Sequence, residues 1–195
     1  MRTVDERTAN MNAVLSTVLE SAGTGIRVAV PGIVQEWNPD EQTVTVQPAI
    51  REKISFAGEA KELNIPLLMD VPVVFPRAGG YGVYMVPKKG DECLVVFGDM
   101  CFDSWWQSGG IQSQADSRRH DLSDGFAIFG PWSLPRKLEN YPEKGLWIQD
   151  DAGNAGISVV DGTVNIFGSV LINGKSYSTH AHSISSGSTQ TGGVV

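Results

Sequence analysis

The spacing of apolar positions changes twice along the chain. Between residues 8 and 22, Met11, Val14, Leu15, Val18 and Leu19 follow the i, i+3, i+4, i+7, i+8 rule. That stripe predicts an amphipathic helix, ended by Gly23 and Gly25. Beyond Gly25 the signals become those of a small antiparallel barrel, with strands expected over 26–37, 43–50, 92–97 and 126–129 and an apolar run at 71–75. In the second of these Val44, Val46 and Pro48 alternate with Thr43, Thr45 and Gln47. In the third, Cys93, Val95 and Phe97 share one face and Leu94 and Val96 the other. Asn38-Pro39-Asp40 and Gly90-Asp91 read as turns, and the stretch 76–81 as a glycine-rich loop. Residues 103–121 carry Trp105-Trp106 and then a polar loop with no periodicity.

Five strands interrupted by one long excursion fit a small Greek-key barrel of the oligonucleotide/oligosaccharide-binding (OB) type. The segment 131–145, with Pro131, Pro135 and Pro142, reads as a linker. Short strands follow at 146–149, 156–160, 163–167 and 170–172, separated by Asp-Ala-Gly-Asn, Asp-Gly, Gly-Ser and Asn-Gly turns. Gly162, Gly168 and Gly174 mark the same rhythm. Strands this short cannot hide Ile148, Ile157, Val159, Val164, Ile166, Val170 and Ile172 within one chain. Repeating units of that kind need neighbours to cover them, so oligomerisation is expected.

Charge and composition narrow the function. A net charge of −7 and the lack of a basic run argue against nucleic acid and anionic membrane surfaces. No apolar stretch nears the ~20 residues that span a bilayer. The mixed, polar first ten residues do not resemble a secretory signal, so the expectation is a chain that stays soluble in the cytoplasm that makes it. Cys93 and Cys101 show no metal or redox spacing and are expected to be free, small and buried.

No catalytic constellation stands out. Gly-x-Ser-x-Gly and His-Glu-x-x-His are absent, and Gly79-Gly80-Tyr81-Gly82 lacks the Lys-Ser/Thr of a phosphate loop. Asp91-Glu92 and Asp150-Asp151 read as solvated turns, and His120 as a surface hydrogen-bonding residue. Trp105-Trp106 fits collar packing or subunit contacts better than a stacking platform, because no Lys/Arg groove accompanies it. His180 and His182 are the exception. On an extended strand they point the same way, ~6.6 Å apart. Two imidazoles are too few for a metal, and alone the pair would be exposed histidines in a Ser/Thr-rich tail. Three chains wound around one axis would supply six nitrogens in an octahedron. That set suits iron(II) better than tetrahedral zinc, although nickel or cobalt would also fit.

Four blocks of residues carry a family likeness: Val71-Pro-Val-Val-Phe-Pro-Arg77, Gly90-Asp-Glu-Cys-Leu-Val-Val-Phe97, Asp103-Ser-Trp-Trp106 and Arg119-His-Asp-Leu-Ser-Asp-Gly-Phe126. Together with the C-terminal strands, Thr179-His-Ala-His182 and Thr191-Gly-Gly193, they resemble baseplate central-spike proteins. These are the membrane-piercing spikes of contractile-tailed bacteriophages and tail-like bacteriocins. The resemblance implies an all-β homotrimer without enzymatic activity. Its parts would be an N-terminal helix or docking segment (1–24), an OB-fold collar (25–130), a linker (131–145), an intertwined trimeric β-helix needle (146–178) and a metal-binding tip (179–195). It also implies one iron (Fe2+) per trimer, held by His180 and His182 of each chain. The spike would sit in the virion tail baseplate, seated on the hub and tail-tube end, and would pierce the host outer membrane on sheath contraction. Two rivals come from other classes. One is an OB-fold saccharide or peptidoglycan module using Trp105-Trp106. The other is a His-x-His metallohydrolase, for which His120 is the one spare histidine.

Overall fold

The structure, a computed structural model, describes residues 26–56 and 59–178, together with residues 11, 14–16 and 18. It divides into two compact units, Met1–Ser133 and Leu134–Val195. The described N-terminal positions are helical, as the stripe predicts, and Met11, Val14, Leu15 and Val18 are all more than half exposed.

The first unit is built on five strands. They are β1 (Ala29–Asn38), β2 (Thr43–Pro48), β5 (Leu68–Pro72), β8 (Glu92–Phe97) and β9 (Gly125–Phe129), hydrogen-bonded in the order β5-β2-β1-β8-β9. Every pairing within that order is antiparallel. Just past β5, Val73 pairs with Ala127 in parallel, and Val74 N–H donates to the Ala127 carbonyl at 2.9 Å. That contact joins the two ends of the sheet, giving the ring order of an OB-like barrel. All five strands fall within a few residues of their expected positions. The chain can bend into so small a ring because β1 serves both neighbours and carries a bulge at Val34/Glu36. At the shared position, Gly32 faces Pro48 on one side and Cys93 on the other. A Cβ there would come within 2.2 Å of Val46 Cγ1, so only glycine fits.

The barrel core consists of Val34, Val44, Val46, Leu68, Val71, Cys93, Val95, Phe97 and Ala127. Both cysteines are free and buried, as expected, and burial pushes the Cys93 thiol up to about 11. Three elements decorate the barrel that period-two reading does not reveal. A hairpin, β3 (Arg51–Phe56) with β4 (Glu59–Asn64), follows β2. A smaller one, β6 (Arg77–Ala78) with β7 (Tyr81–Gly82), occupies the glycine-rich loop. A short helix α1 (Asp103–Ser108) lies in the excursion between β8 and β9.

The second unit opens with a 3-10 turn over Leu134–Arg136 and continues as β10 (Leu146–Gln149), β11 (Gly156–Val160) and β12 (Thr163–Phe167). These form one three-stranded antiparallel sheet. A two-stranded hairpin follows, β13 (Leu171–Ile172) with β14 (Lys175–Ser176), turned at Asn173-Gly174. The first three strands match the sequence expectation residue for residue. The sheet has no core: among the described residues of this unit Ser158 alone is buried. We therefore expect a chain cut after Ser133 to unfold cooperatively in urea as a soluble barrel. Residues 134–195 on their own should show no cooperative transition at micromolar concentration, and one would contradict this account of the sheet.

Candidate functional site

The register of the second unit sorts its side chains into two unlike faces. Leu146 lies opposite Val159 and Val159 opposite Val164; Ile148 lies opposite Ile157 and Ile157 opposite Ile166. Because side chains alternate, these six form two parallel aliphatic rows on one face. Each is 42 to 64% exposed. Fully burying such a side chain is worth roughly 1.5–3 kcal/mol, so covering six that are about half exposed is worth on the order of 5–10 kcal/mol per chain. That rivals the net stability of a whole domain, and a contiguous apolar patch of this kind is unusual on a monomer. No described residue covers this face. Leu171 and Ile172 on the next hairpin are similarly exposed.

The opposite face carries Trp147, Gln149, Gly156, Ser158, Val160, Thr163, Asn165 and Phe167. The Trp147 and Phe167 rings meet edge to face at 5.9 Å across β11, and Ser158 between them is buried. Gly156 is required beneath them. A Cβ there would lie 2.8 Å from Phe167 Cζ and 2.4 Å from the Ile148 carbonyl oxygen. Among the described residues, one face is therefore partly packed and the other is bare.

On the barrel, the excursion between β8 and β9 is tied down by an ion network. Asp124 is completely buried, and Arg118 grips it with a two-pronged fork, Nε to Oδ2 at 2.7 Å and Nη2 to Oδ1 at 3.0 Å. The same Nη2 reaches Asp103 Oδ2 at 2.7 Å, and the Phe102 N–H donates to Asp124 Oδ1 at 3.3 Å. The two carboxylates drive the Arg118 pKa upward, so the guanidinium stays charged at any accessible pH. Cys101, Asp103 and Asp124 cluster closely enough to suggest a metal site. Arg118 already supplies the positive charge there, and a cation beside it would be repelled. Asp121 is held below its usual range by hydrogen bonds from the Ser123 hydroxyl and N–H. His120 Nδ1 sits 3.1 Å from the Arg27 carbonyl oxygen and Nε2 is 3.3 Å from Asp99, matching the expected surface role.

This network holds α1, which carries Trp105 and Trp106. The two indoles are tilted at 48°, and Trp105 packs on Phe102 and Phe126, which stack at 4.4 Å. Both remain over 40% exposed, but they do not form a flat platform. The signals that mark α1 in the sequence are its ends, Asp103 at the start and Gly109 (φ 66°) at the stop, because six residues are too few for a full apolar period. Arg118 and Asp124 left no pattern at all, since their pairing depends on the folded loop. His180 and His182 lie outside the described residues.

A family model for the phage protein Gp138 N-terminal domain matches residues 30–130, which is the barrel from β1 to the end of β9. The chain belongs to that family. It is a phage protein, and its family domain is the OB-like barrel, whereas the two-faced sheet lies beyond the match. No curated protein matches the chain. Within the Gp138-type domain the Arg118 network should be a stability element. Arg118→Met, which strands the buried Asp124 carboxylate, should cost about 3–5 kcal/mol in urea unfolding. A loss below ~1 kcal/mol would mean that water reaches Asp124.

Proposed function

We propose that this chain is the central spike of a contractile-tail baseplate, a non-enzymatic virion component that pierces the host outer membrane when the sheath contracts. The observation that carries the proposal is the uncovered aliphatic face of β10–β12, attached to a phage OB-like barrel. Three chains wound about one axis would bring the rows Leu146–Val159–Val164 and Ile148–Ile157–Ile166 of each chain together as the dry interior of a needle. The barrels would form its collar, and the exposed N-terminal stripe, Met11, Val14, Leu15 and Val18, would dock on the hub or tube end.

Such an object needs a rigid point, and its last turn has nothing beyond it to pack against. His180 and His182 of three chains would hold one iron(II) there, tying the chain ends together. The acidic surface supports transit rather than adhesion. A trimer would carry about −21, three times the −7 of one chain, and would be repelled by an anionic leaflet. Among the described residues His120 is the single histidine, and both its ring nitrogens are engaged, so a hydrolytic metal centre in the barrel is disfavoured.

Native mass with elemental analysis on the same sample tests the proposal. The expected result is a trimer of about 63 kDa, three times the 21.0 kDa chain, with about one iron per three chains. A metal-free monomer would sink it. His182→Ala should lose the iron and keep the trimer; monomers there would make the metal, and not the shaft, the cause of assembly. Ile157→Asp places three charges in the needle interior and should yield monomers with intact barrels by size exclusion and circular dichroism. A trimer that tolerates the aspartate would mean that this face is not the interior.

A further inference from the structure

The partly packed face of the needle sheet carries a cleft of about 510 Å³, within the range of small-molecule sites. Its lining includes Asn140, Glu143, Trp147, Gln149, Gly153 and Val160, so β10, the end of β11, the turn between them and the segment before β10 build it together. Trp147, Gln149 and Val160 all belong to the face opposite the aliphatic rows. Covering those rows with other copies would leave this face outward.

We propose that the cleft binds a neutral pyranose oligosaccharide. The Trp147 indole is anchored and part exposed: Nε1–H donates to the Lys144 carbonyl at 2.8 Å, and the ring meets Phe167 at 62°. The C–H face of a sugar ring stacks on such a surface, while its hydroxyls need acceptors around the rim. The rim supplies them. Asn140 commits its amide N–H to the Ala152 carbonyl, and Gln149 commits its own to the Asn140 carbonyl, which leaves both side-chain oxygens to accept. The Glu143 carboxylate is a third acceptor on the same lining. Anionic ligands are disfavoured. The one lysine of the cleft, Lys144, is paired with Asp161, and the chain is acidic overall. A purely apolar ligand would leave the amides and carboxylate desolvated.

The Trp105-Trp106 pair lacks these features, because its indoles are tilted and packed on Phe102 and Phe126. The saccharide chemistry expected of an OB module thus moves from the barrel to the sheet beyond it. One shared sugar chemistry has two sources, an N-acetylated glycan strand and a neutral surface polysaccharide. Chitotetraose and maltotetraose represent them.

Calorimetric titration of the full-length chain with each tetrasaccharide tests the site, with native mass recorded on the same sample. The expected result is saturable binding of one sugar with Kd on the order of 0.1–1 mM. Trp147→Phe, which keeps a ring against Phe167, should weaken it about tenfold. Asn140→Ala, at an exposed position, should weaken it about fivefold, and Trp105→Ala should leave it unchanged. No binding of either sugar overturns the cleft, as does binding that responds to Trp105→Ala and not to Trp147→Phe or Asn140→Ala. A trimer blind to both sugars leaves the spike standing without the cleft, and a monomer that binds leaves the cleft standing without the spike.

Discussion

The six aliphatic side chains on one face of the β10–β12 sheet dominate the physics of this chain, because no described residue covers them. A three-stranded sheet is stable when at least one face is packed, and here the packed face is a single aromatic pair over a buried serine. The free energy still available on the aliphatic face is of the same order as the stability of a domain. A surface of that kind gains free energy when another surface meets it, and copies of the same chain are the partner proposed above. The proposed threefold needle, its collar and its metal-bound point all depend on that constraint.

The barrel is organised differently. Its core is completed by its own five strands, and the Val73–Ala127 contact closes the ring. Closure requires sharp local concessions, a bulge in β1 and a glycine where β1 is shared between two neighbours. The long excursion before β9 is then fastened by charge as well as by Phe102 and Trp105 packed on Phe126. A buried carboxylate gripped by a two-pronged guanidinium fixes direction as well as distance, and so holds a six-residue helix that has little stability of its own. The barrel's fold is therefore complete within its own unit.

The two faces of the sheet divide labour by chemistry. One is uniformly branched and aliphatic, with no polar atom to satisfy, which suits a dry interior. The other mixes an anchored indole with amide and carboxylate acceptors around a cleft, which suits a wet ligand rich in hydroxyls. Alternation along each strand is enough to keep the two apart.

Much of this was legible from the residues alone. Period-two alternation marked β2 and β8, because a half-buried strand writes its two faces directly into the sequence, and short apolar segments between turn formers marked the other strands. The turn dipeptides Asp161-Gly162 and Asn173-Gly174 fixed the hairpins for an equally local reason, a backbone that needs positive φ. The shortness of the sheet strands led to the expectation that Ile148, Ile157, Val159, Val164, Ile166, Val170 and Ile172 would stay exposed on one chain, and among the described residues all but Val170 are largely exposed. What sequence did not yield depends on residues distant in the chain meeting in space. In the β3–β4 hairpin β4 is exposed along its whole length, so it has no buried face to read in the sequence. The Arg118–Asp124 fork and the cleft between Asn140 and Gln149 have no spacing of their own. Only the tertiary structure decided that Trp105 and Trp106 are tilted apart while Trp147 is anchored in the lining of a cleft, because an indole's use is set by its neighbours and not by its position in the chain.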